Sequence, residues 1–205
     1  MDDAVNCKVN VVVSRAESAA VTRRALLDAA AEFLDLGGPD AVTLREVGAR
    51  AGVTRGAPYR HFADKNSLLT AVATEGWGRV GDLVHALRAD PALSASQKLR
   101  GALRAITSLG RDQPHLHRMM CSAPAGDPAA AGRPAARYRH EFLGIVAALV
   151  GAQNAGHYGA LLLAGAYGIA DMELSGHLAA DTWHTTADEL VDTLVRMVTD
   201  AGATT

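Results

Sequence analysis

Two hundred and five residues suffice for one large domain or two small ones, at roughly 150 residues each. With 49% hydrophobic and 20% charged residues, disorder throughout is excluded, and the scarce aromatics (three Phe, two Trp, four Tyr) suit Ala- and Gly-rich helices better than a β-sandwich. A formal net charge of −2 excludes nucleic-acid binding through overall charge, so any such role rests on a local patch.

Residues 1–18 read as a frayed, disordered tail. Asp2 and Asp3 stand where a signal peptide carries positive charge, and Val9–Val13 is too brief an apolar run for one. Val11-Val12-Val13 reads equally as a short strand or a vector-derived remnant. Helical periodicity starts near Thr22, with Leu26, Ala29, Ala30 and Phe33 on one stripe. Gly37-Gly38-Pro39 stops it. Thr43-Leu44-Arg45-Glu46 is a capping box that opens a short helix with Leu44, Val47 and Ala51 inward. Gly52 breaks that helix, and Thr54 is placed to cap a second one running to about Phe62, with Pro58 near its first turn.

Asp64 caps a long helix whose apolar set is Leu68, Leu69, Val72, Val80, Leu83, Val84 and Leu87. Pro91 ends it. Ser94-Ala95-Ser96-Gln97 caps a helix with Leu99, Leu103, Ile106 and Leu109, closed by Pro114. A short helix is expected over 115–121. Pro124 to Pro134, with three prolines and two glycines, reads as a loop. Tyr138, Phe142, Ile145, Val146 and Leu149 form the next stripe, and Gly151 to Gly156 the next break.

From about Tyr158 to Leu178 comes a helix that is apolar on nearly every side in its first half. It is expected to be buried on more than one face, inside the domain or between subunits. Its longest apolar window, Gly159–Ala170, is too short to span a bilayer, so no membrane association is expected. Thr186-Ala187-Asp188-Glu189 caps the last helix, with Leu190, Val191, Leu194 and Val198 along one side. The reading is all-α, about nine helices, with no internal repeat. Cys7 and Cys121 lie far apart and form no CxxC pair, which points to a reducing cytoplasm.

The informative segment is 43–65, TLREVGARAGVTRGAPYRHFADK. A short helix, a glycine-containing turn and a second short helix make a helix-turn-helix, whose second helix enters the major groove. Thr54, Arg55, Gly56 and Ala57 give it a narrow, donor-bearing start. Five basic side chains (Arg45, Arg50, Arg55, Arg60, Lys65) against two acidic ones (Glu46, Asp64) leave a local +3. Thr54 and Arg55 are placed to reach base edges or nearby phosphates.

From Thr22 to about Leu69 the chain resembles the TetR family of bacterial transcriptional regulators. The residues carrying the resemblance are Arg23 to Leu34, Thr43 to Val47, Ala51 to Thr54, Tyr59-Arg60-His61-Phe62, Lys65 and Leu68-Leu69. The resemblance implies an all-α homodimer: a helix-turn-helix domain over 19–66 binds a palindromic double-stranded operator, and 67–205 bind a small-molecule inducer and dimerise, here through the last two helices. It implies phosphate contacts for Tyr59 and His61. Lys65, a cation in the first turn of a helix, opposes the macrodipole unless phosphate lies nearby. Thr43 also caps the helix that abuts the backbone, and Arg23 and Arg24 read equally as phosphate contacts or solvated charges. Ala166-Tyr167-Gly168 is weakly similar to a subgroup that carries Trp-His-Gly there.

Family analogy puts the inducer pocket amid the C-terminal helices. The candidates by position are Trp77, Leu103, Ile106, Met119, Met120, Tyr138, Phe142 and Tyr167, each also explicable as plain core. His117/Cys121 and Glu173/His177 sit at i, i+4, where two metal-capable groups share a helix face, yet two ligands make no site, and no metal or cofactor is expected. No GxSxG, HExxH, Walker or dinucleotide fingerprint occurs, so no catalytic residue is assigned and no enzyme is expected. The leading expectation is a ligand-responsive repressor. The alternative is a DNA-binding regulator without an inducer, controlled by a partner protein or by abundance.

Overall fold

The protein is described by a computed structural model over residues 14–122 and 128–203, with side chains over 14–122 and 135–202. Among the described residues there are ten helices and no strand. The first, α1, runs Arg15–Ala41. It starts before Thr22 because Ser14 and Glu17 make a capping box: Glu17 N donates to Ser14 Oγ (3.1 Å) and Ser14 N to Glu17 Oε2 (2.7 Å). Residues 15–18 are therefore helix, not tail. The rest of the expected tail, with Cys7 and Val11–Val13, lies outside the described residues. The Gly37-Gly38 stop holds. Both residues leave helical geometry, and Gly38 takes φ +71°, which favours glycine.

Next come α2 (Leu44–Arg50) and α3 (Ala57–His61). Thr43 caps α2, but the expected box is half formed: the Glu46 carboxylate accepts from the Thr43 hydroxyl instead of its backbone N–H. Thr54 does not cap α3: its carbonyl accepts from Ala57 N at 2.8 Å, so Thr54–Ala57 is a turn, and α3 starts without a side-chain cap. Asp64 caps α4 (Lys65–Ala89), accepting from Ser67 N at 2.7 Å. Within α4 Leu83 departs from its expected inward place: it is 49% exposed, on an open groove between α4 and α5. Ser94 and Gln97 box α5 (Ala95–Asp112), and Pro114 opens α6 (Pro114–Cys121).

Helix α7 spans Pro128–Val150, so the expected loop to Pro134 is too long. Two of its prolines, 124 and 128, fall before or at the helix start, where a missing N–H costs little; residues 123–127 lie outside the described set. The break at 151–156 shrinks to one residue. Gly151, at φ +79°, turns the chain directly into α8 (Ala152–Leu174). The helix expected to reach Leu178 stops at Leu174, and an unforeseen turn, α9 (Ala180–Trp183), precedes α10 (Ala187–Ala203). The Thr186–Glu189 capping box is present.

One buried cluster runs through the whole bundle. Leu26, Leu27, Ala30 and Leu34 of α1 join Val42, Val47 and Phe62 around α2 and α3. They continue into Leu68 and Val72 of α4. Full burial of each large apolar side chain stabilises by about 1.5–3 kcal/mol. Helix α4 packs most extensively on α7, α5 on α8, and α7 on α8, while α10 closes over α5, α7 and α8.

The α2–α3 crossing is set by Gly48, where a Cβ would meet Pro58 Cγ at 2.6 Å. A proline ring cannot swing aside. Gly48→Ala gains about 1 kcal/mol of helix propensity, but overpacking costs about 1–3 kcal/mol. A net loss in urea midpoint is expected, and an unchanged midpoint would show that the crossing yields freely.

Candidate nucleic-acid interface and cavity

The turn and α3 stand out from the body. Thr54, Arg55, Gly56, Tyr59 and Arg60 are exposed, Tyr59 at 59% although it is aromatic. Ala57 differs from its expected place on this surface. It is 6% exposed and faces inward with Pro58, fixing α3 to α2. His61 is half-buried, its ring 6.5 Å from that of Phe62. Lys65 sits at the start of α4 with Nζ 4.0 Å from Asp40 Oδ1, an exposed pairing that holds it weakly. Thr43 is committed to its cap, its hydroxyl donating to Glu46 Oε2 at 2.7 Å and accepting from Glu46 N at 3.2 Å.

The ion pairs sort the cations. Arg50 binds Glu32 at 2.8 Å, Arg24 binds Asp28 at 2.7 Å and Glu75 at 3.3 Å, and Arg23 stacks over the Phe62 ring at 5.3 Å. These three therefore have structural partners. Arg45, Arg55 and Arg60 form no ion pair among the described residues, so three cations on α2, the turn and α3 face solvent. Arg45 was counted in the basic patch from sequence but given no contact; its place opposite the buried Val47 side of a seven-residue helix is the signal that finds it.

Helices α4, α6, α7 and α8 border a partly open cavity of 430 Å³ lined by Trp77, Met120, Cys121, Ala135, Tyr138, Arg139, Leu163 and Tyr167. Four expected pocket residues, Trp77, Met120, Tyr138 and Tyr167, come together here from α4, α6, α7 and α8. Leu103, Ile106 and Phe142 do not: they are fully buried core. Met119 is half-buried beside the core, off the cavity wall. Cys121, Ala135, Arg139 and Leu163 were missed, because no periodicity marks a residue at a cavity edge.

The His117/Cys121 pair shares a face as expected, with Sγ 3.8 Å from Nε2, whereas Glu173 and His177 do not, since α8 ends between them. His177 Nδ1 instead meets Ser175 Oγ at 2.7 Å, and Glu173 pairs with Arg111 at 3.0 Å. Among the described residues no three His, Cys, Asp or Glu converge as a metal site. Desolvation of its sulfur, reinforced by the Asp171 charge, pushes the Cys121 thiol up to about 11, which keeps it a poorly reactive thiol.

His117 is 2% exposed, and burial lowers its pKa below the ordinary value, reinforced by Arg118 and opposed by Asp171. Its neutral form is the one the fold favours. Its contribution is fully present above the unfolded imidazole pKa of about 6.5 and is lost as pH falls through the lower folded value. Thermal stability is expected to drop below about pH 6.5, less steeply in His117→Gln; equal slopes in both proteins would remove His117 as the cause.

Residues 26–72 match the family described as bacterial regulatory proteins, tetR family, and residues 99–198 the tetracyclin repressor-like C-terminal domain. The chain belongs to the TetR family. As a TetR-family transcriptional regulator it carries a DNA-binding helix-turn-helix, here α2, the turn and α3. TtgW, an uncharacterised HTH-type transcriptional regulator of Pseudomonas putida, is 50% identical over 58 residues, 28% of this chain and 42% of TtgW. BetI of Escherichia coli, also an HTH-type transcriptional regulator, is 36% identical over 81 residues, 39% of this chain and 42% of BetI. The chain thus spans less than half the length of these curated relatives. A Rhodococcus protein of unknown function shares the fold at TM-score 0.73 and 24% identity, over 87% of this chain and 94% of that one. No helix among the described residues is long and apolar enough to cross a membrane.

Proposed function

We propose that the protein is a cytoplasmic, ligand-responsive repressor that binds a palindromic operator as a homodimer and releases it when a small molecule occupies the 430 Å³ cavity. The observation that carries this reading is continuity between cavity and turn. Helix α4 begins with Lys65 beside the helix-turn-helix and, three turns later, places Trp77 in the cavity wall. Helix α6 supplies Met120 to the same wall, while His115 at its start lies against Gly38 of α1, and Gln113 Nε2 donates to Asp35 at 3.0 Å. Gly76, where a Cβ would meet Met120 Sδ at 2.7 Å, locks α4 to α6.

A ligand that displaces Trp77 or Met120 therefore moves both supports of the DNA-binding unit. Two such units read one operator only when their α3 helices sit about 34–36 Å apart. A ligand preferring another spacing shifts the population away from DNA, by no more than its differential affinity for the two states. Donors at the exposed Thr54, Arg55 and Tyr59 and the half-buried His61 and Lys65 supply the base and phosphate contacts.

Purified protein should select promoter fragments from its own genome, protect two symmetric half-sites, and release them when small-molecule extract of the same cells is added. Protection of asymmetric or scattered sites, or release by no extract, would overturn the respective half of the reading.

A further inference from the structure

A second hollow, the open groove of 740 Å³ between α4 and α5, is built wholly from residues 76–113. The two helices are antiparallel, and Gly101, where a Cβ would meet Leu87 Cδ1 at 2.9 Å, brings α5 hard against α4 at one end. From there Val80, Leu83, Ala105 and Leu109 make an apolar channel, in which Leu83 stays 49% exposed. At 1.5 Å per residue the α4 wall from Gly76 to Leu87 is about 16 Å long. Arg79 of α4 and Asp112 of α5 fall together toward the other end. Three charged side chains line the groove, and one of them is engaged. Arg104 turns to α10, with Nη2 3.7 Å from Asp192 and 3.9 Å from Asp188. Arg79 and Asp112 are exposed and form no ion pair among the described residues, with each other or with any neighbour. Arg111, next to Asp112, is drawn instead to Glu173 and Asp188, at 3.0 Å each. One guanidinium and one carboxylate thus stand unspent on facing walls beside an apolar channel. A lone anion would meet Asp112 and a lone cation Arg79, whereas a head carrying both charges answers both.

We propose that this groove binds a zwitterionic amphiphile, its apolar tail along Leu83 and Leu109, its carboxylate on Arg79 and its ammonium on Asp112. Tail burial supplies most of the affinity. The two ion pairs supply selection, since each is partly exposed and worth little alone. The groove shares no lining residue with the 430 Å³ cavity, and the proposal does not rest on ligand-responsive repression.

Three probes share a ten-carbon chain: 2-aminodecanoic acid is the zwitterion, decanoic acid the anion and decylamine the cation. Isothermal titration calorimetry on the full-length protein, below each probe's micelle threshold, should give 2-aminodecanoic acid about fivefold tighter binding than either of the others. Arg79→Gln should weaken 2-aminodecanoic acid about fivefold, weaken decanoic acid, and leave decylamine bound as well or better. Asp112→Asn should weaken 2-aminodecanoic acid and decylamine and leave decanoic acid bound as well or better. Leu83→Gln should weaken all three, which ties binding to this channel rather than to the 430 Å³ cavity. All three side chains lie at the surface, so each variant should keep the parent fold. A single-charge probe that binds as tightly as the zwitterion, a charge variant that moves anion and cation alike, no response to Leu83→Gln, or binding of no probe would each overturn the proposal.

Discussion

Arg55→Ala is expected to weaken operator binding at least thirty-fold while leaving the fold intact. Arg55 is exposed, sits in the turn that leads into α3, and forms no ion pair among the described residues. Nothing in the free protein explains its placement. A bidentate arginine–guanine contact is worth about 1–3 kcal/mol, and a dimer makes it twice, so about 2–6 kcal/mol is at stake. Tyr59→Phe removes one neutral donor per half-site and is expected to cost less, about 0.5–1.5 kcal/mol each. The two substitutions also differ in kind. If Arg55 reads a base, its loss relaxes sequence preference and spares the salt dependence. If it holds a phosphate, the slope of log K against log salt falls by about 0.9 per half-site and preference is kept. Far-UV circular dichroism and Tm should match the parent protein in both variants. Gel-shift titrations over a salt series decide it, and unchanged affinity in Arg55→Ala would remove this turn from the interface.

Sequence reading located the elements whose signals are local and chemical. Caps at Thr43, Ser94 and Thr186, the Gly37-Gly38 stop and the Gly151 turn are each written in a few adjacent residues, and each occurs in the structure, though at Thr43 the Glu46 half of the expected box is absent. Errors arose where a local signal was overlooked or a tertiary one was needed. The Ser14–Glu17 box was missed because the tail before it looked unstructured. Prolines over 124–134 suggested a loop because their position relative to the helix start is invisible without the fold. The helix-turn-helix was readable because short helices leave few choices of face. The cavity was only half readable: Trp77, Met120, Tyr138 and Tyr167 resemble Leu103, Ile106 and Phe142 in type and spacing, and only packing separates a wall from a core. Charge counting had the same limit. The local +3 was correct as a sum, but pairing of Arg50 with Glu32 and stacking of Arg23 on Phe62 decide which cations remain for phosphate.

Leu161→Glu is expected to convert the protein to monomers and, through that, to lose operator affinity about 100-fold or more. Helix α8, apolar nearly all round, buries Leu162, Ala166 and Ile169 yet exposes Leu161 at 51%, flanked on the same face by exposed Ala160, Ala164 and Gly168. Beside it α10 exposes Met197 at 58%. The small residues around Leu161 leave this side of α8 smooth, on the helix pair that resemblance assigns to dimerisation. Leu194, on the apolar side of the last helix, is spent inside the subunit: a Cβ on Gly165 would meet its Cδ1 at 2.8 Å. Charge there would damage the monomer first, which makes it the poorer probe. A two-fold interface repeats each residue, so Leu161→Glu buries two like charges rather than one. Without the dimer the second half-site is no longer held at high effective concentration, and avidity of 100-fold to 10,000-fold is forfeited. Arg55→Ala should remain dimeric with weak DNA binding, and Leu161→Glu should be a folded monomer with weak DNA binding. Sedimentation equilibrium distinguishes them, and a Leu161→Glu protein that still sediments as a dimer would place the subunit contact on another face.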